Sequence, residues 1–208
     1  MNSILTVTTP ADSQNLTTLA TVKAELGIAV ADITKDVQFA IFIDQASGEC
    51  ASYCKRVFGQ EAVSEQFRLG LHTRVEELIL KRYPVASIIS ITEEDGTVLV
   101  EGTDYEMDPD NGILWRLSGT ERCGWPRGKI VVAYVGGYAL LDSLPQTIER
   151  ACIELVKRYW FDLSRDPQLT QITIPGVIER SWRIARATDP GITPAVTDRL
   201  NQFRDWRL

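Results

Sequence analysis

Histidine is nearly absent from the sequence. His72 is the only one in 208 residues, which removes the commonest general base at neutral pH from almost every position. It sits in Gly70-Leu71-His72-Thr73 with no Ser or Cys arranged beside it as an activated nucleophile, so it reads as a turn residue. There is no apolar run near the ~20 residues needed to span a bilayer. The opening Met1-Asn2-Ser3-Ile4 lacks the basic region and apolar core of a signal peptide, and synthesis in the cytoplasm is expected. A long basic stripe is missing too. The net charge is −6, divided as −2 over residues 1–60, −5 over 61–140 and +1 over 141–208. Tight DNA binding needs clustered Lys and Arg that displace counterions, and this balance makes the chain a poor candidate for it.

Cysteine is sparse: Cys50, Cys54, Cys123 and Cys152. Cys50 and Cys54 share one helical face and supply half a zinc site, but the other half is not found, so they read as small buried apolar groups. Glu76-Glu77 and Glu93-Glu94-Asp95 are acidic clusters, yet adjacent strand residues point to opposite faces and the second cluster abuts a turn. Asp104, Asp108, Asp110 and Asn111 resemble an oxygen-rich calcium loop without its spacing or closing Glu. Gly136-Gly137 lies between strand and helix but carries no phosphate-loop continuation, so these glycines let the chain leave the sheet. No catalytic residue, cofactor or metal is expected.

What is present is ordinary globular material, 44% hydrophobic and 24% charged. Residues 1–15 read as a polar, extended arm. Thr17 and Thr18 precede a helix over Leu19 to Leu26 that Gly27 ends. Asp32 or Thr34 caps a second helix to about Val57. Its apolar positions are taken as Val37, Ala40, Ile41, Ile43, Ala46, Cys50, Tyr53, Cys54 and Val57, and Gly59 follows its end. The period then shortens. Strands are expected over 63–69, 77–81, 88–93, 98–100, 105–108, 113–116 and 129–134, with two-residue hairpin turns at Asp95-Gly96 and Asn111-Gly112. Helical period returns after Leu144-Pro145, with Ile148, Ala151, Cys152, Leu155, Val156, Tyr159 and Trp160 as its apolar stripe. Residues 164–192 are polar and proline-punctuated. Pro194 starts a last helix with Val196, Leu200 and Phe203 on one side. The predicted fold is α+β, a small helical bundle with an inserted antiparallel β unit and a C-terminal arm and helix. Its parts are a helical core at 1–60 and 136–163, an inserted β unit at 61–135, and a C-terminal loop and docking helix at 164–208.

Several phrases, in order, resemble one family. They are Leu19-Ala20-Thr21-Val22-Lys23-Ala24-Glu25-Leu26, then Arg82-Tyr83-Pro84-Val85-Ala86-Ser87-Ile88, then Asp104-Tyr105-Glu106-Met107-Asp108 and Gly112-Ile113-Leu114. Trp125-Pro126-Arg127-Gly128, Val131-Val132-Ala133-Tyr134-Val135-Gly136-Gly137-Tyr138 and the Ala151-Cys152-Ile153-Glu154-Leu155-Val156 helix follow. Together, over about residues 16–162, they resemble the head–tail connector (adaptor) proteins of tailed phages, with their prophage and gene-transfer-agent relatives. The resemblance implies a non-enzymatic virion protein at the head–tail junction, in a homo-oligomeric ring of about twelve copies beneath the portal. Its implied partners are the portal protein and a stopper or tail-completion protein, with DNA passing through without sequence-specific binding and no membrane. The shortest members are almost wholly helical, and residues 61–135 depart from that pattern.

The C-terminal residues 180–207 interleave Arg180, Arg183, Arg186, Arg199, Arg204 and Arg207 with Trp182, Phe203 and Trp206. Arg and Trp dominate binding hot spots. Trp182, Arg183, Arg199, Leu200, Phe203, Arg204 and Trp206 are therefore the expected contacts with the portal. The other reading of this segment is a solvated last helix whose aromatics cover the protein's own core. For the whole chain the alternatives are a stopper or tail-completion subunit, a monomeric binding module, or a small enzyme.

Overall fold

In the computed structural model the described residues are 3–70, 75–140, 142–163, 171–174, 178–181 and 192–205, with backbone alone at 171–174 and 178–181. The chain divides into two units. One joins Met1–Gln14 to Arg56–Ser143, and the other joins Asn15–Lys55 to Leu144–Leu208. Helices and antiparallel strands are both present, which makes the fold α+β.

The β-rich unit holds a four-stranded antiparallel sheet in the order β1 (Ser3–Thr9), β2 (Glu61–Leu69), β8 (Gly128–Gly136), β4 (Val85–Thr92). A second sheet has the order β3 (Glu77–Ile79), β6 (Ile113–Ser118), β5 (Tyr105–Asp108), and β7 (Glu121–Cys123) also pairs with β6. Val63, Phe67, Leu78, Leu80, Ile91, Leu114, Ile130 and Val132 fill the core of this unit. The N-terminal arm is thus an edge strand, with Ser3 opposite Phe67 and Val7 opposite Val63. Residues 98–100 form no strand; Val98 makes one bridge to Thr92. Asp95-Gly96 sits in a three-residue connection closed by Glu93 N to Thr97 O at 2.9 Å, with Gly96 at φ +89°. Asn111-Gly112 ends a four-residue connection, because Asp108 pairs with Ile113.

The two glycines ending β8 do more than release the chain. A Cβ on Gly136 would lie 2.3 Å from the Arg82 carbonyl oxygen, and one on Gly137, at φ +105°, would lie 2.4 Å from that of Gly59. Backbones pass too closely there for any side chain.

One strand carries a charge inward. Along β2 the inward positions are Glu61, Val63, Glu65, Phe67 and Leu69. Glu65 is fully buried. Its carboxylate accepts from Ser3 Oγ on β1, from Lys81 N at 3.0 Å and from Tyr134 OH on β8 at 2.8 Å. Arg82 N donates to the same Tyr134 oxygen at 3.1 Å, and Arg82 Nε reaches Glu61 at 2.8 Å. Burial, then the neighbouring Glu65 charge, pushes the Tyr134 phenol well above its ordinary range, so it stays a donor.

The helical unit holds α1 (Leu19–Leu26), α2 (Asp36–Cys54), α3 (Gln146–Asp162) and α4 (Pro194–Leu200), with one 3-10 turn at Asn201–Phe203. It also holds a short hairpin of β9 (Gln171–Ile174) and β10 (Ile178–Ser181). Thr18 caps α1 by accepting from Thr21 N at 3.0 Å, and Gly27 ends it in the left-handed conformation. The start of α2 differs from expectation. Asp32 accepts from Thr34 N at 3.0 Å and Thr34 Oγ1 at 2.7 Å, so both are used up in a turn, and the helix begins at Asp36. It ends at Lys55 in the left-handed conformation, well before Gly59.

The buried face of α2 also differs. Phe39, Ile43, Ala46, Cys50 and Cys54 face the core, whereas Val37 is 78% exposed, Ile41 is 52% exposed and Ala40 is exposed. Phe39 decides the register, because its ring packs on Trp160 at 4.7 Å while Phe42 meets Tyr159 at 5.7 Å. Along α3, Ile148, Ala151, Cys152, Leu155 and Val156 are buried as the periodicity predicts. Ser47 Oγ of α2 donates to Ile43 O one turn back at 2.7 Å and accepts from Leu16 N, in the segment before α1, at 3.0 Å.

Candidate functional site

The arginine- and aromatic-rich tail is described in part. Thr193 precedes α4, and Val196 and Leu200, one helical turn apart, are both buried in the helical unit. The turn that follows is tied to the end of α2. Asp205 N donates to Cys54 O at 2.9 Å, Tyr53 OH donates to Asn201 Oδ1 at 2.6 Å, and the Arg204 guanidinium lies 5.5 Å from the Tyr53 ring centre. Arg199 Nη2 reaches Glu154 of α3 at 3.2 Å.

Leu200, one of the expected portal contacts, packs inside the helical unit. Leu200 is fully buried and belongs to the fold, because a helix whose apolar row is only Val196 and Leu200 can stay docked only by burying both. Arg199, Phe203 and Arg204 remain at least partly exposed on the docked segment. Trp182, Arg183 and Trp206 lie outside the described residues, as does His72.

Several acidic residues singled out in the sequence have structural roles. Asp108 accepts from Asp110 N at 3.1 Å and from Asn111 Nδ2 at 2.8 Å, an Asx turn closing the β5–β6 connection. Glu93 and Asp104 both hold Arg116, at 3.0 and 3.5 Å. Among the described residues no cluster of His, Cys, Asp and Glu is arranged to hold a metal ion. Cys50 and Cys152 are buried thiols. Burial pushes both up, Cys152 to about 11 and Cys50 further, so both stay protonated and unreactive. Thiol titration of the native protein is therefore expected to find one readily labelled cysteine, the partly exposed Cys123, and four after denaturation.

The exposed apolar residues of the helical unit form two groups. Val30, Ile33, Val37 and Ile41 run from the loop before α2 along its first turns, and Phe161 and Leu163 close α3. Only Val37 and Ile41 of these were singled out in the sequence, and as core. The available signal was that α2 carries more apolar residues than one face can bury.

The family model for head completion proteins, HCP, matches residues 15–176. The chain belongs to that family. A head completion protein is a structural part of the particle at the head–tail junction and not an enzyme, which agrees with the structural roles of those acidic residues. No curated protein matches the sequence. Among solved structures, a chain in the neck of an empty GTA particle, computed with C6 symmetry, is similar at 15% identity and TM-score 0.58, over 99% of this chain and 97% of that one. A chain in the virion of a native gene transfer agent (GTA) particle is similar at 16% identity and TM-score 0.58, with the same coverage. A chain in the neck of a native GTA particle, computed with C12 symmetry, gives 16% and 0.52. At these identities the likeness is one of fold, and it extends over nearly the whole chain.

Proposed function

We propose that this head completion protein is an adaptor subunit: identical copies close into a ring beneath the portal, extend the DNA channel and join head to tail. The observation that carries the reading is the near end-to-end likeness, 99% of this chain and 97% of the other, to chains of particle necks computed with C6 and C12 symmetry. Copies in a cyclic ring meet through two different surfaces. The charge balance also fits, since an acidic middle section of −5 lets a duplex slide past without sticking. The portal-facing contacts are assigned to the C-terminal segment, with Arg199, Phe203 and Arg204 on its docked part and Trp182, Arg183 and Trp206 elsewhere in its sequence. Rim arginines of this kind make attachment sensitive to salt.

Mass measurement in solution tests the reading. The protein alone is expected to be monomeric and to form a multi-copy complex when a portal partner is added. A protein that stays monomeric beside the portal, or exists only as a two-fold dimer, contradicts it.

A further inference from the structure

We infer that Val37 and Ile41 of one copy, with Ile33 just before them in the chain, receive Phe161 and Leu163 of the next copy, and that this is the ring's subunit contact. The inference rests on the adaptor reading and adds the surface.

Exposed apolar residues cluster twice in the helical unit. Val37 and Ile41, one turn apart, share a face of α2, and the exposed Val30 and Ile33 lie in the loop just before it. Ile33 is 74% exposed. Ala40 and Gln45 flank the pair Val37 and Ile41 without charge, and Asp44 marks its end. At the end of α3, Phe161 is 65% exposed and Leu163, the residue that caps the helix, 50%. Apolar groups gathered in this way mark association surfaces.

The placement of the two groups selects the partner. Val37 and Ile41 are each two residues from Phe39, about 200° round the helix at 3.6 residues per turn. Phe39 faces α3, so the pair faces away from α3. Phe161 is nine residues from the buried Cys152, about 180° round α3, and so faces away from the core as well. Because Phe39 near the start of α2 meets Trp160 near the end of α3, both groups lie at the same end of the helix pair. Two different apolar patches, level with each other and facing opposite ways, are what a head-to-tail contact between copies requires. A two-fold contact would need one patch to meet itself.

Cross-linking on assembled rings tests this. In a Cys123→Ser background, V37C with L163C in one chain, treated with a short bismaleimide, is expected to give a ladder of dimers, trimers and larger species, while V37C alone gives none. Val37→Lys with Ile41→Lys is expected to lower the ring population at least tenfold with the thermal melt unchanged, since both residues are exposed. Rings that form but give no 37–163 cross-link overturn this contact and leave the adaptor reading standing. Dimers from V37C alone also overturn it, because they report a two-fold contact. Absence of rings under every condition overturns both.

Discussion

Glu65→Ala is expected to destabilise the β-rich unit by about 3–5 kcal/mol, because three donors lose one buried acceptor. Ser3 Oγ, Lys81 N and Tyr134 OH all point at that carboxylate, which has no exposure to water. Each unsatisfied buried donor costs about 1–3 kcal/mol, and the cavity left by the side chain adds to that. Glu65→Gln keeps one carbonyl oxygen for Lys81 N and Tyr134 OH and is expected to cost about 1–2 kcal/mol. Tyr134→Phe removes one donor together with the bond from Arg82 N, and is expected to fall between the two. Urea unfolding of the three variants reads this order. An alanine variant within about 1 kcal/mol of the parent would show that the network is not holding the strands together.

Leu200→Ala is expected to destabilise the helical unit by about 2–5 kcal/mol, the usual range for a fully buried leucine. Ending the chain at Thr193 goes further. It removes Val196 and Leu200 together with the bond from Asp205 N to Cys54 O, so loss of a cooperative melt is expected. Arg199→Glu, at a partly exposed ion pair with Glu154, is expected to change stability by less than about 1 kcal/mol. Calorimetry on the three separates the roles. A truncated chain that melts like the full one would mean the last helix is a free docking arm and not part of the core.

Local signals in the sequence carried further than long-range ones. The bounds of α1 and its end at Gly27 follow from a capping threonine and a glycine with positive φ, both short-range. The strand Tyr105–Asp108 was readable from turn residues on either side. Residues 3–9 read as extended, but their pairing with residues 62–67 depends on a partner more than fifty residues away, which no local pattern shows. β7 has only three residues and leaves no period to detect. In α2 two overlapping apolar stripes were available, and helical spacing alone could not say that Phe39 and not Val37 would meet Trp160.

The candidate contacts divide in the same way. Helical spacing marked Val196 and Leu200 as one apolar face without saying what that face packs on, and the structure packs it on the helical unit itself. Glu65 was legible in principle, because it stands among Val63, Phe67 and Leu69 on the inward positions of an alternating strand. A charge in that position has to be buried and partnered. The exposed pair on α2 and the end of α3 emerge only once the register of the two helices is known.

Electron microscopy of the full chain assembled with a portal partner tests the adaptor reading most directly. Rings of identical copies around a hole wide enough for duplex DNA, stacked on the portal, are the predicted result. Single copies, two-fold dimers or a plugged disc at that position would contradict it.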